Sequence, residues 1–269
     1  MSIQPQDRDT WNPTQYEKFE REREQPYFDL LAMVRPPAVA RDRMRVVDLG
    51  CGTGKLTRVL HTRLQAGETI GIDKSSRMLE SRDNDGLPPG LRFEVGTIES
   101  FPGHWGTFDV IFSNAAYHWV ADHEALLHRL TGALRPGGQL AFQVPYTHRD
   151  LFALVAAELA RTEPFKAIFG GWTRMEPVLE PEAYARQLYR LGFADPIVRL
   201  IVYPHVLAAP EEVVEWTLGT LITEYVRHLP VDMAARFVAE YRTRLLERLE
   251  PVRPFFFPFK RVLCWGQRA

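Results

Sequence analysis

Val46-Val47-Asp48-Leu49-Gly50-Cys51-Gly52-Thr53-Gly54 is the stretch whose reading decides the fold. A short apolar run from Arg45 meets three alternating glycines, and a helix-like stretch follows from about Thr53 to Gln65. Glycine lets the backbone turn sharply and approach a ligand closely, and a helix that follows offers unpaired N–H groups. A glycine loop alone is also what any tight strand-to-helix turn needs. Two carboxylates add to it. Asp73 ends the next apolar run, Thr69-Ile70-Gly71-Ile72-Asp73, where a carboxylate accepts from both hydroxyls of a ribose. Asp48 stands at the tip of the first run, just before the loop.

That second carboxylate discriminates between ligands. Beside a pyrophosphate it would be repelled, whereas beside a cationic amino or sulfonium group it is favourable. Lys55 stands where the third glycine of Gly-x-Gly-x-x-Gly belongs. Both features point away from a nicotinamide dinucleotide and toward S-adenosylmethionine.

Outward from the loop, apolar runs alternate with helical patterns. Strands are predicted at 69–73, 91–96, 108–114 and 139–144, and helices at 75–82 and from an Asp122 cap to Leu134. Leu134-Arg-Pro-Gly-Gly138 reads as a helix stop and turn. Such alternation predicts an α/β fold with a mostly parallel sheet and helices on both faces. Further on, helices are expected at 150–161 and 181–191 and a strand at 197–203. Two amphipathic helices then follow, 210–228 behind Pro210 and 232–249 behind an Asp232 cap, and a last strand near 260–267. Two helices between the last two strands suggest a cap. The Phe255–Phe257 triple reads as packing. Residues 16–34 read as helical pieces interrupted near Pro26.

The chain of 269 residues carries 33 basic and 34 acidic side chains, a balance that argues against nonspecific nucleic-acid binding. No apolar run is long enough for a membrane span. Two cysteines without metal-type spacing and a polar Met1–Pro13 lead to an expected cytoplasmic setting with no metal site.

VVDLGCGTG, the acidic GID at 71–73, FDVIFSNAAYHW and LRPGG, in this order, resemble the class I S-adenosylmethionine-dependent methyltransferases. The resemblance covers about residues 40–145. It implies a Rossmann-like sheet of seven strands, the last antiparallel. It also implies cofactor contacts at Asp48, Gly50, Cys51, Gly52, Gly54, Asp73, Lys74, Met78, Thr97, Ile98 and Asn114. Four more segments resemble the trans-aconitate methyltransferases within that class: Trp11-Asn-Pro-x-x-Tyr16, residues 113–123, Glu211–Trp216 and Phe257–Leu263. This narrower likeness runs nearly end to end and implies O-methylation of a small polycarboxylate. It also implies a lid over 1–40, a methyltransferase domain over 41–205 and 251–269, and an inserted helical cap over 206–250.

His118 is the candidate catalytic residue: it follows the strand end at Asn114, where open parallel sheets bind ligands. It would serve as base for a hydroxyl or amine acceptor, while a carboxylate needs none. Trp11, Tyr16, Arg23, Trp119, Tyr146 and Arg261 are the candidate acceptor residues. Three positions depart from the narrower pattern. Gln25 and Thr223 replace arginines, and Thr97 replaces an aspartate. Arginines are the natural carboxylate clamps. A more hydrophobic acceptor (a phenol, quinone or acyl acid) therefore stays open beside the small acid, as does a cofactor-binding protein without catalysis.

Overall fold

Arg45–Leu49 forms strand β1, and four of its five residues are buried. A strand so covered on both faces belongs inside a parallel sheet. β2 (Glu68–Asp73) and β4 (Phe108–Asn114) flank it in parallel register, Val47 facing Ile70 on one side and Ile111 on the other. β3 (Leu91–Val95) runs parallel to β2, and β5 (Leu134–Pro145) parallel to β4. β6 is Phe193–Leu207, and β7 (Phe255–Arg268) is antiparallel to β5. The seven strands lie in the order β3-β2-β1-β4-β5-β7-β6. The expected seven-stranded, mostly parallel, Rossmann-like sheet is present. These facts come from a computed structural model that describes residues 20–36, 40–81, 86–101, 106–175 and 177–269.

Ten helices are described: α1 (Glu20–Met33), α2 (Lys55–Leu64), α3 (Ser76–Glu80), α4 (His123–Ala133), α5 (Leu151–Ala160), α6 (Phe165–Phe169), α7 (Pro181–Arg190), α8 (Glu211–Leu218), α9 (Leu221–Val226) and α10 (Val231–Arg248). None among the described residues is long and apolar enough to cross a membrane.

The chain divides into two compact units. One comprises Arg23–Pro145, Pro177–Ile201 and Lys260–Ala269, and the other includes Tyr146–Glu176 and Val202–Phe259. The second thus holds the expected cap segment together with α5, α6 and the first part of β7. In the sheet unit, Val46, Val47, Leu49, Val110, Ile111, Phe112, Leu140 and Phe142 are fully buried. Burying each such side chain stabilises the fold by about 1.5–3 kcal/mol. In the helical unit, α5 and α10 enclose a core of Phe152, Phe165, Phe169, Trp216, Phe237 and Tyr241. Phe165 and Phe237 meet edge-to-face at 5.0 Å. Phe255, Phe257 and Phe259 join this core, while Phe256 is exposed, as strand alternation requires.

Several local expectations change. α1 runs straight through Pro26. A mid-helix proline costs about 3 kcal/mol. Tertiary anchoring offsets that cost: Tyr27 and Leu30 are fully buried, and Tyr27 donates to the Leu56 carbonyl at 2.7 Å. The helix expected over 210–228 breaks into α8 and α9 at Gly219-Thr220. There the Thr217 and Thr220 hydroxyls donate to the carbonyls of Val214 and Trp216, competing with the helix ladder. Asp232 lies in the first turn of α10, with Pro230 at the cap. Leu134 already pairs with Phe108, and the register resumes at Gln139 and Val110. The Arg135–Gly138 segment is therefore a bulge inside β5 rather than a turn before it.

A buried triad braces the turn after β4. His123 Nε2 lies 2.8 Å from the Tyr117 carbonyl, which only accepts, so Nε2 carries the proton. Nδ1 then accepts from the Tyr184 hydroxyl at 2.5 Å, and that hydroxyl accepts from Leu179 N–H. Burial holds the His123 pKa below its ordinary value of 6.5. A histidine held neutral in the fold contributes stability that is lost as pH falls through the unfolded value. Tyr184→Phe is expected to cost about 1–3 kcal/mol in urea unfolding at pH 7.5, because it leaves Nδ1 unsatisfied. Wild-type stability should also fall below about pH 6.5 more steeply than that of His123→Gln. Equal slopes in the two proteins would refute the assignment.

Candidate functional site

The glycine loop hangs from the end of β2. Gly50 N–H and Cys51 N–H both donate to the Ile72 carbonyl, at 2.8 and 3.0 Å, and Gly54 N–H closes the turn on the Cys51 carbonyl. Gly50 has φ +79° and Gly52 +57°, left-handed values that disfavour side chains. A Cβ on Gly50 would also lie 2.2 Å from that of Ala116, so the turn after β4 closes directly over the loop. Met78 and Ile98 stand beside it: their terminal carbons are 3.4 and 3.7 Å from where Cβ atoms on Gly52 and Gly50 would be.

Asp48 is 3% exposed. Its Oδ2 accepts from the Thr57 hydroxyl at 2.6 Å, while Oδ1 has no partner among the described residues. Burial pushes its pKa up to about 7, the Thr57 hydrogen bond pulls it down, and the Asp73 charge adds to the rise. A buried carboxylate oxygen left unpaired is costly unless a cation or donor meets it. Asp73 is held from both sides: Oδ2 accepts from Gly52 N–H at 2.8 Å and Oδ1 from Ser75 N–H at 2.9 Å. Each oxygen keeps a lone pair for a further donor. The Ser75 hydroxyl in turn caps α3 by accepting from Met78 N–H. Burial and the neighbouring Asp48 and Asp73 push the Cys51 thiol well above its usual range. A thiol held in that direction is disfavoured as a thiolate.

Past β3, the Thr97 hydroxyl is engaged with Ser100 Oγ and N–H, and Arg129 holds the Ile98 carbonyl. Lys74 is exposed. Past β4, Ala115 takes φ +54° and donates its N–H to the Gln143 carbonyl. A 3-10 turn, Tyr117–Trp119, then presents His118 and Trp119, whose rings pack at 4.6 Å. Tyr117 is fully buried against Phe142 beneath them. Arg261 faces Pro145 in the antiparallel register, at the carboxyl end of β5. It is 3% exposed and donates Nη1 to Gln143 Oε1 at 3.1 Å. Gln143 Nε2 donates to Asn114 Oδ1 at 2.6 Å.

The sheet unit thus brings together Asp48, Gly50, Cys51, Gly52, Gly54, Asp73, Met78 and Ile98. Asn114 and Arg261 are joined through Gln143 at the same edge of the sheet. Tyr146, directly after β5, lies in the helical unit, buried edge-on against His148. Trp11 and Tyr16 lie outside the described residues, and Arg23 is described only in its helical backbone. Sequence reading missed Thr57 and Gln143. The signal for Gln143 was a polar side chain inside the apolar run of β5.

Chemically, the arrangement fits a nucleoside with a cationic tail. A glycine cradle admits close backbone approach, Asp73 suits a ribose diol, and Asp48 Oδ1 suits an ammonium group.

Residues 40–185 match the family model described as a methyltransferase domain. The chain is 41% identical to a trans-aconitate 2-methyltransferase of Deinococcus radiodurans, over 96% of this chain and 98% of that protein. It is 39% identical to one of Variovorax paradoxus, over 90% of this chain and 91% of that protein. Among solved structures it resembles the YcgJ protein of Bacillus subtilis, with a TM-score of 0.60 and 18% identity over 90% of this chain and 99% of the other. It also resembles geranyl diphosphate methyltransferase in complex with GPP and sinefungin, with a TM-score of 0.53 and 16% identity over 91% and 79%. At such identities the structures share a fold.

A carboxylate whose pKa is raised by folding contributes stability below its unfolded pKa, and that contribution is lost as pH rises through the folded value. For Asp48 the loss between pH 4 and pH 8 is of the order of 4 kcal/mol in the ligand-free protein. Asp48→Asn keeps an oxygen for Thr57 and removes the buried charge. Urea unfolding should find it more stable than wild type at pH 8 and not at pH 5. No difference between the two pH values would refute the reading of Asp48.

Proposed function

This chain belongs to the trans-aconitate 2-methyltransferase family of methyltransferase-domain proteins, and we propose that it methylates a carboxylate of a small, trans-aconitate-like polycarboxylic acid, with S-adenosylmethionine as donor. The end-to-end likeness to relatives named for that acceptor carries this reading. The site supports the donor. Asp48 Oδ1 would take its amino group, Asp73 its ribose hydroxyls, and the Gly50–Gly54 backbone would lie against it. Met78 and Ile98 would supply apolar contact, with Asn114 at the end of β4. When bound, the donor supplies a methyl carbon already activated by its sulfonium, so the protein's part is binding, alignment and exclusion of water.

An acceptor carboxylate is ionised at neutral pH and needs no general base. His118 would then orient the acceptor by hydrogen bonding, and Trp119 would wall the site. Arg261 is the natural partner for a second carboxylate of the same acid, since a guanidinium binds carboxylates at short range with directional hydrogen bonds. A reducing, cytoplasmic setting belongs to the same reading and is supported by two free thiols.

Incubation with methyl-labelled donor and a panel of polycarboxylates is expected to give an alkali-labile monomethyl ester. No ester from any acid, with turnover on a phenol or quinone instead, would overturn the acceptor. For a carboxylate acceptor, kcat should show no imidazole limb between pH 6 and 8, and His118→Gln should retain measurable turnover. Asp48→Asn should weaken donor binding about tenfold or more, the worth of a lost charge-assisted hydrogen bond. Wild-type affinity should fall with pH below about 7. Calorimetry across pH reads both effects.

A further inference from the structure

We infer that Gln143 is a positioning residue that fixes which way the Asn114 amide faces, and so couples Arg261 to the donor site. This rests on the reading above that Asn114 touches the bound donor.

The argument starts from the guanidinium, which only donates. The atom of Gln143 that Arg261 Nη1 meets at 3.1 Å must therefore be the amide oxygen, Oε1. That places the Nε2 hydrogens on the other side of the amide, where Asn114 lies at 2.6 Å. Asn114 must in turn offer its oxygen, Oδ1. Its Nδ2 hydrogens are then what it has left for a ligand. Asparagine alone turns its amide over at little cost, so its polarity toward a ligand is not set by its own identity. Here a cation two residues away along the hydrogen-bond chain sets it.

The fold holds this chain of three tightly. Gln143 is fully buried, its amide uses both ends, and its own carbonyl accepts from Ala115 N–H in the turn after β4. The three residues come from adjacent strands, β4, β5 and β7, with Gln143 facing Asn114 and Pro145 facing Arg261 in register. Rotating the Gln143 amide would set a donor against the guanidinium and an acceptor against Asn114 Oδ1. A single amide cannot reverse without breaking both contacts.

Gln143→Glu tests this. Glutamate still accepts from Arg261, but it has no donor for Asn114, so Asn114 must turn Nδ2 inward and present Oδ1 to the ligand. Binding of S-adenosylhomocysteine by calorimetry should weaken about tenfold, the worth of one hydrogen bond replaced by two facing acceptors. Asn114→Ala should weaken it similarly, and the double variant should be no weaker than either single one. Asn114→Asp, which has only acceptors, should reproduce the loss without touching Gln143, and it serves if Gln143→Glu does not fold. The donor KM should rise in Gln143→Glu with kcat and the acceptor KM less affected, because Arg261 keeps its partner. If Asn114→Ala weakens binding while Gln143→Glu and Asn114→Asp bind as wild type, or if the effects of the Asn114→Ala and Gln143→Glu substitutions simply multiply, the relay is wrong although the site reading stands. If Asn114→Ala binds as wild type, Asn114 does not touch the donor and both fall.

Discussion

A carboxylate buried at the end of the central strand is the constraint on which the rest of the site depends. Asp48 is held there by the burial of β1 between β2 and β4. The hydrogen bond its side chain accepts from Thr57 on α2 ties the helix to the strand tip. The other oxygen stays without a partner among the described residues. Such a group raises the energy of the empty fold and lowers it again when a cation arrives. Stability and binding are thus set against each other at a single atom, as functional sites commonly require.

The loop geometry follows from the same packing. Two N–H groups of the loop share the Ile72 carbonyl, and Ala116 closes over Gly50. Gly50 is required because the turn after β4 needs that space, and Gly54 because the Phe93 ring lies 2.5 Å from where its Cβ would be. Asp73 then uses one oxygen to hold Gly52 N–H, which ties this carboxylate to the loop.

Polar side chains inside apolar strands carry the remaining order. Gln139 accepts from Arg35 N–H and Trp265 Nε1 and donates to the Arg35 carbonyl, pinning the chain ahead of β1 to β5 and β7. Gln143 does the same four residues on, between Asn114 and Arg261. A buried amide with every group satisfied specifies one arrangement of its neighbours, and the alternative arrangements leave unpaired polar atoms.

The sequence by itself determined the sheet, the loop and the two carboxylates. Those rest on local facts: apolar runs of strand length, glycines in a fixed pattern, and acidic residues at strand ends. Tertiary structure decided what depends on distant partners. α1 passes through Pro26 because Tyr27 and Leu30 are buried against the sheet unit. The helix expected over 210–228 breaks where threonine hydroxyls compete with its ladder. The Leu134–Gly138 turn became a bulge because β4 was there to pair with it. Asp48 was readable as a carboxylate at a strand tip, but its unpaired oxygen was not. Nor was the orientation of Asn114, which depends on an arginine 147 positions away in the chain. Hydrogen-bond direction is a property of assembled groups, and only the folded chain assembles them.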